Sequence, residues 1–275
     1  MLIRIGHRPN PDDALMLRAL SAGEVDTRGL EFEPSAEPIE TLNLWAREGR
    51  FEVTALSASA YPFVQDKYVL LPHGASMGTG FGPVVVSHEP LSRERLREAE
   101  ITVPATTTTS FLILRMYLGA EFRYCVLPRD EILEEVKSGR AEAGLVTEEN
   151  QLTYRDEGLT KSIDLGEWWL LETGLPLPLT VNVARRDLEP HLQDVSCVIR
   201  DSILAGLSNP RRAMAYALRF GRSSDTSITD RFVGMYVNEL SFDSGDEGRQ
   251  IIAELLRRAQ AIGAFDQPVK IEFVA

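Results

Sequence analysis

The chain has 275 residues, of which 44% are hydrophobic and 25% charged, and its formal net charge is −12. These values are ordinary for a globular protein and exclude a disordered tail, a collagen-like rod and a small disulfide scaffold. Because phosphate contacts need a basic surface, we expect no nucleic-acid partner and no anionic-membrane partner.

The amino-terminal part of the chain alternates between strand and helix patterns. Residues 2–7 alternate apolar and polar side chains, which predicts a strand. Pro11, Asp12 and Asp13 are typical of the first turn of a helix, and Gly23 ends the helical spacing that follows. The next predicted elements are a strand over 30–33, a helix over 39–47 and a strand over 53–57.

A second series of patterns begins near residue 83. It predicts strands over 83–87, 101–104, 124–127 and 143–146, and helices over 108–118 and 130–138. From about residue 190 the chain is mostly helical, with predicted helices over 195–207, 211–220, 230–240 and 245–262. This alternation indicates an α/β protein with parallel sheets and helices on both faces.

Two segments are predicted to be extended crossings between domains. Residues 175–179 contain Pro176 and Pro178 and cannot be helical, and residues 78–83 form a similar segment. Two crossings predict a discontinuous first lobe and a second lobe inserted into it, with a ligand cleft between them. The expected bounds are 1–89 plus 179–275 for the first lobe and 90–178 for the second. A single open sheet is the alternative.

The candidate ligand-binding residues are polar side chains that follow predicted strands. Open α/β sheets bind ligands at the carboxyl ends of their strands, so these residues are expected at one edge of each sheet. The candidates on this ground are His7, Arg8, Asn10, Ser57, Ser59, Thr107, Thr108, Thr109, Ser110 and Glu148.

The run of four threonines is the most informative of these segments. Hydroxyl groups and free backbone N–H groups at the start of a helix form a site for a carboxylate or a phosphate. Thr108, Thr109 and Ser110 are therefore predicted to hold an anionic group. An ordinary Ser/Thr helix cap is the alternative, although capping needs only one such residue.

The other candidates have simpler structural interpretations. A lone histidine such as His7 is commonly structural. Asp12 and Asp13 are explained by the helix dipole. Glu148 and Glu149 lie where a catalytic group would lie, yet adjacent glutamates usually mark a solvated turn.

Several classes of protein lack their usual sequence signals here. No nucleotide-binding glycine motif, serine-hydrolase elbow or metal-ligand spacing is present, so nucleotide binding and serine hydrolysis lose their usual support and we expect no metal. Cys125 and Cys197 form neither a zinc pattern nor a redox pair. The chain opens on a strand pattern rather than a signal peptide, and its apolar runs are too short to span a membrane, so we expect a cytoplasmic protein.

Specific motifs along the whole chain resemble those of one protein family. The opening Gly-His-Arg-Pro-Asn-Pro-Asp-Asp-Ala resembles that family's GHSPDPDDAF. The likeness continues in residues 39–43, 52–55, 66–78, 82–86, 151–154, 164–169, 173–179, 185–188 and 236–239. The family it resembles is that of the 1,4-dihydroxy-6-naphthoate synthases of the futalosine pathway of menaquinone biosynthesis.

The resemblance implies a two-lobed, periplasmic-binding-protein-like fold of type II and a lyase that needs no cofactor. Its substrate would be cyclic dehypoxanthine futalosine, from which it splits the sugar-derived part to leave 1,4-dihydroxy-6-naphthoate. The resemblance places the substrate's aromatic carboxylate at Thr108–Ser110, in agreement with the anion site predicted there. Ser57 matches a family serine that faces the same cleft.

The chain departs from the family at positions that matter for chemistry. Glu148 stands where the family has its proposed catalytic histidine, and Asn150 stands where it has a glycine. Thr180 and Val181 replace the two glycines of the family's P-L-G-G-N. Arg8 replaces a serine and adds a cation beside the expected cleft. Such changes are typical of an altered substrate or a lost activity.

Our first hypothesis is a lyase of this family in which Glu148 abstracts a proton. Glutamate is a weaker base than histidine, but burial strengthens it. We assign substrate binding to the other candidate residues named above. Thr180 and Asn182, from the altered glycine motif, are assigned to it as well. The alternatives are a dehydratase-like enzyme acting on another chorismate-derived carboxylate, and a cytoplasmic protein that binds a small-molecule carboxylate without turnover. The sequence is compatible with a monomer or a homodimer.

Overall fold

The computed structural model describes residues 1–221, 223 and 225–274. Its backbone divides into two compact units. The first contains Met1–Met77, Pro178–Leu256 and the chain from Gln267 onward, and the second contains Gly78–Leu177 and Arg257–Asp266.

Strands and helices alternate through most of the chain, as the sequence predicts. The first 70 residues form β1 (Leu2–His7), α1 (Pro11–Ser21), β2 (Glu31–Ala36), α2 (Ile39–Glu48), β3 (Val53–Ser57) and β4 (Tyr68–Leu70). Then come β5 (Ser76–Gly78), β6 (Val84–Ser87), α3 (Arg93–Glu98), β7 (Glu100–Val103), α4 (Thr109–Leu118), β8 (Arg123–Val126), α5 (Arg129–Lys137), β9 (Ala143–Val146), α6 (Asn150–Thr153), β10 (Thr160–Asp164) and α7 (Leu165–Thr173). The rest forms β11 (Leu177–Arg185), α8 (Leu192–Ser208), α9 (Pro210–Ala217), α10 (Thr226–Tyr236), α11 (Glu239–Phe242) and α12 (Gly245–Ala261).

The sheet of the first unit has the order β2-β1-β3-β11-β4 among the described residues, and β5 also pairs with β11. β1 runs parallel to β2 and β3, whereas β11 runs antiparallel to β3 and β4. Apolar residues of α1 and α8 pack with this sheet in one buried cluster. The Ser202 hydroxyl ties the two helices together, because it donates to the Met16 carbonyl at 2.8 Å and accepts from the Leu20 N–H at 3.1 Å.

The sheet of the second unit has the order β10-β6-β9-β7-β8 within the described residues. β7 lies between β8 and β9 and is parallel to both, whereas β6 is antiparallel to β9 and to β10. Ile132 and Val136 of α5 pack against Val84, Val86 and Val146 in its buried core.

The structure confirms the strands and helices predicted up to residue 146, with small shifts at their ends. The predicted parallel sheets are wrong in part, because both sheets are mixed. β6 and β11 follow the two extended crossings and run against their neighbours. The sequence patterns also missed β4, β5, β10, α3 and α7, which are short or lack a clear period.

The division into units differs from the expected lobes at two places. Residues 78–89 belong to the second unit, because β6 pairs with β9 and β10 there. Arg257–Asp266 also belongs to the second unit, because the chain returns to that unit there. No change in the composition of the sequence marks this return. No helix in the described residues is both long enough and apolar enough to span a bilayer.

Candidate functional site

Three loops meet at one edge of the second sheet. β7, β8 and β9 are neighbouring parallel strands, so their carboxyl ends lie at the same edge. The residues that follow them are the threonine run after β7, Arg129 after β8 and Glu148 after β9. This is the edge at which open α/β sheets bind ligands.

The threonine run begins helix α4. Thr108 is the N-cap, and its hydroxyl accepts a hydrogen bond from the Phe111 N–H at 3.3 Å. Thr109 and Ser110 are buried in the first turn, and Thr107 is half-buried. The capping interpretation is therefore correct for Thr108. The remaining first-turn N–H groups and the dipole of α4 still form an electropositive end suited to a carboxylate.

Glu148 lies in an unusual backbone conformation at this edge. Its φ is +57°, in the left-handed region that side chains other than glycine rarely adopt. The Glu148 carboxylate accepts a hydrogen bond from the Arg129 guanidinium, and the two side chains are only 13% and 14% exposed. Glu149 is buried. The two glutamates do lie in a turn, as expected, but the expected solvation is wrong, because their side chains are largely buried.

Arg129 is the residue at this edge that sequence reasoning missed. It is the first residue of α5, where a cation opposes the helix dipole. A basic residue at that position needs an anionic partner. This requirement was the sequence signal from which the role of Arg129 could have been predicted. β8 and β9 flank β7, so the ion pair joins the loops that follow the two neighbours of β7.

The candidate residues after β1 are engaged in the first unit. The His7 ring Nδ1 lies 2.8 Å from the Arg8 carbonyl oxygen, and His7 is buried. Asn10 is buried at the N-cap position of α1, where its carbonyl accepts from the Ala14 N–H at 3.0 Å. Both residues shape the turn from strand to helix.

Arg8 binds the two aspartates of α1. Its guanidinium donates to Asp12 at 2.6 Å, to Asp13 at 2.5 Å and to the Ser76 hydroxyl at 3.0 Å, and all four residues are buried. The Arg8 N–H also donates to Asp13 at 2.7 Å. The helix dipole alone therefore does not explain these aspartates, and the charge that Arg8 adds is balanced within its own network.

Asp12 has a less complete set of hydrogen bonds than Asp13. The Ser76 hydroxyl donates to Asp12 Oδ2 at 3.0 Å, whereas Oδ1 is buried without a hydrogen-bond partner among the described residues. Burial raises the pKa of Asp12, and the charge of Asp13 adds to this, while Arg8 opposes it. The two carboxylates thus share the Arg8 guanidinium in a buried site.

Ser57, at the end of β3, is fixed by a residue that the sequence analysis did not single out. Asn43 of α2 donates from Nδ2 to the Ser57 hydroxyl and accepts from the Ser57 N–H through Oδ1, both at 2.9 Å. Thr180 lies opposite Ser57 in the register of β11 and β3, so the two side chains share a face. Ser59 follows, half-buried, in a 3-10 segment.

Asn182 occupies space that only a glycine leaves open. A Cβ atom on Gly74 would lie 2.0 Å from Asn182 Nδ2, and Gly74 has a φ of +85°. Asn182 and His7 also line an internal cavity of about 10 Å³, which has room for a single water molecule and none for an aromatic ligand. Their assignment to substrate binding stays a prediction.

The described residues contain no group of three histidine, cysteine, aspartate or glutamate side chains arranged to hold a metal ion. The groups that the structure places in the loops at the edge of the second sheet include a carboxylate, a guanidinium, hydroxyl groups and a helix N-terminus.

Comparison with known proteins identifies the family. The model of a menaquinone biosynthesis family matches residues 3–261. The chain belongs to this family. A 1,4-dihydroxy-6-naphtoate synthase from Thermus thermophilus is 38% identical over 266 residues, which cover 95% of each protein. A protein of the same name from Streptomyces coelicolor is 34% identical over 267 residues, covering 95% of this chain and 94% of that protein.

Solved structures place this member of the menaquinone biosynthesis family in a fold class. A crystal structure from Archaeoglobus fulgidus matches with a TM-score of 0.91 and 39% identity, covering 96% of this chain and 98% of that one. The ligand-binding component of an import system from Staphylococcus aureus matches with a TM-score of 0.74 and 13% identity, covering 100% and 96%. The fold is therefore periplasmic-binding-protein-like, as the resemblance implies.

Proposed function

We propose that this member of the menaquinone biosynthesis family is a lyase that converts cyclic dehypoxanthine futalosine to 1,4-dihydroxy-6-naphthoate. The family match and the names of its relatives support this assignment. The observation that carries it is the position of Glu148, a largely buried carboxylate at the ligand-binding edge of the second sheet.

In this proposal Glu148 is the general base. It removes the proton whose loss begins the elimination of the sugar-derived part, and no cofactor takes part. Its left-handed backbone supports the role, because unusual backbone conformations persist mainly where function requires a fixed side-chain direction. A carboxylate that abstracts a proton must lie within hydrogen-bond reach of it, which a fixed direction favours.

The carboxylate of the substrate is assigned to the first turn of α4. Thr108, Thr109 and Ser110 provide hydroxyl groups there, and the helix provides N–H donors and a positive dipole end. The reacting part of the substrate would then lie toward Glu148, which follows the neighbouring strand β9.

A direct assay tests this function. The purified protein is incubated with cyclic dehypoxanthine futalosine, and 1,4-dihydroxy-6-naphthoate is sought by mass spectrometry. We expect product from the wild type and a loss of turnover with retained naphthoate binding in Glu148→Gln. The matched control is Glu157→Gln, which removes an exposed partner of Lys137 in the same unit and should keep full activity.

A second candidate is a carboxylate-binding protein without turnover. The Arg129 contact favours it, because a paired glutamate is less available as a base. Naphthoate binding without product from the wild type would support this candidate and refute the lyase. Turnover of a different chorismate-derived carboxylate, with no naphthoate formed, would indicate a dehydratase-like relative instead.

A further inference from the structure

The ion pair between Arg129 and Glu148 poses a chemical problem for the proposed reaction. A carboxylate that accepts a hydrogen bond from a guanidinium has its charge balanced by that partner, and the contact engages the oxygen that would accept a proton. A base that stays in this contact cannot accept a proton from the substrate efficiently. The pair must therefore open before Glu148 acts.

The location of the pair suggests what opens it. Arg129 follows β8, Glu148 follows β9, and β7 between them leads into the threonine run. The loop that carries the guanidinium and the first turn of α4, where the proposed function places the substrate's carboxylate, follow neighbouring parallel strands and lie at the same edge of the sheet. Asp130 and Glu131, the other charged residues in the first turn of α5, are exposed to solvent.

Charge balance indicates which kind of group can replace Glu148 beside Arg129. The N-termini of α4 and α5 are both positive dipole ends at this edge, and Arg129 adds a full positive charge. In the structure Glu148 supplies an anion to Arg129. An incoming carboxylate supplies the same charge and can form the same paired hydrogen bonds with a guanidinium.

We propose that Arg129 exchanges partners when the substrate binds, leaving the carboxylate of Glu148 and receiving the carboxylate of the substrate. This inference rests on the proposed function. Arg129 then determines specificity for a carboxylated ligand, and Glu148 becomes free as a base only when that ligand is present. A substrate-dependent base fits a glutamate at a position where the resemblance places a histidine.

Binding of 1,4-dihydroxy-6-naphthoate, followed by calorimetry, tests the exchange without requiring turnover. Glu148→Gln removes the competing anion, so it should bind the naphthoate several-fold more tightly than the wild type. Arg129→Gln should bind it about tenfold or more weakly, because a charge-assisted hydrogen bond is lost. Arg129→Lys should be intermediate, and the double variant should match Arg129→Gln.

Two controls isolate the role of the charge. Arg140→Gln removes a more exposed ion pair with Glu135 in the same unit and should leave naphthoate binding unchanged. The uncharged 6-carboxamide analogue should bind the wild type and Arg129→Gln equally. Thermal unfolding of each variant shows that it is folded, and Arg129→Lys tests the proposal if Arg129→Gln is not.

The outcomes separate this inference from the proposed function. If Glu148→Gln binds the naphthoate no more tightly than the wild type, or if Arg129→Gln binds it equally well, the exchange is refuted. Should the wild type form product while either result is obtained, only the exchange fails. A wild type that neither forms product nor binds the naphthoate refutes the proposed function, and the exchange with it.

Discussion

Arg129 donates a hydrogen bond to the carboxylate of Glu148, and the two residues, 19 positions apart, join the loops that follow the two neighbours of β7. The pair leaves 14% of the arginine side chain and 13% of the glutamate side chain exposed. A largely buried carboxylate is thereby held at the edge of the second sheet to which the N-terminus of α4 also belongs.

The backbone of Glu148 predicts a difference between two substitutions that both remove its carboxylate. Alanine retains the unfavourable left-handed conformation at φ +57°, whereas glycine adopts it freely. Glu148→Gly should therefore unfold with a free energy roughly 1–2 kcal/mol higher than Glu148→Ala, measured by urea denaturation. Both variants should lack turnover. Equal stability would show that the conformation is unstrained in this loop.

Thr108 should contribute to stability through its cap. Thr108→Ala removes the hydroxyl that accepts from the Phe111 N–H, so we expect a loss of about 1 kcal/mol in unfolding free energy. Thr108→Ser should restore most of it. Naphthoate affinity measured on the same variants separates the two roles, because a residue that only caps changes stability and leaves affinity constant.

The stability of the protein should depend on the guanidinium of Arg8, which is the only one described in the cluster of Arg8, Asp12, Asp13 and Ser76. Arg8→Met leaves Asp12 and Asp13 buried together, and breaking a buried ion pair of this kind costs about 3–5 kcal/mol. Adding Asp12→Asn to Arg8→Met should recover part of the loss, because one buried charge is removed. The midpoints of urea denaturation provide the comparison, and an unchanged midpoint in Arg8→Met would contradict this account.

Asn43 should support the conformation of Ser57. Asn43→Ala removes two hydrogen bonds and leaves buried polar groups of Ser57 without these partners, so a loss of about 1–3 kcal/mol is expected. Asn43→Asp keeps the acceptor for the Ser57 N–H. Its loss of unfolding free energy should be smaller at low pH, where the aspartate is protonated. Chemical denaturation at two pH values checks both statements.

His73 predicts a pH dependence of stability. Burial lowers its pKa, and the hydrogen bond to the Phe242 carbonyl at 2.6 Å opposes this. Arg200 also lowers the pKa, whereas Asp243 and Asp201 raise it. The unfolded chain binds a proton at this histidine from about pH 6.5 downward, before the folded protein does. Protonation therefore favours unfolding, and stability falls as the pH drops below 6.5.

The substitution His73→Asn keeps a donor for the Phe242 carbonyl and removes the titration. We expect the melting temperature of this variant to change less between pH 7 and pH 5 than that of the wild type. A wild-type melting temperature with the same pH slope as the variant would show that other groups control the dependence.

The strands and helices near the candidate site were predictable because they depend on local spacing. The threonine run before α4 and the short apolar runs of β7 and β9 have clear signals. The position of Glu148 at the end of β9 followed from the same patterns. Its left-handed backbone did not, since glutamate rarely adopts this conformation and the sequence pattern indicated only a turn.

The sequence by itself determined the alternation of elements, the helix cap at Thr108 and the family resemblance, because each depends on residues close together in the chain or on a specific motif. Only the tertiary structure decided which charges meet. Arg129 reaches Glu148 across 19 residues, Asn43 reaches Ser57 across 14, and Arg8 reaches Ser76 across 68. Such contacts form where strand order brings distant loops to one edge, and strand order depends on long-range packing that no local pattern records.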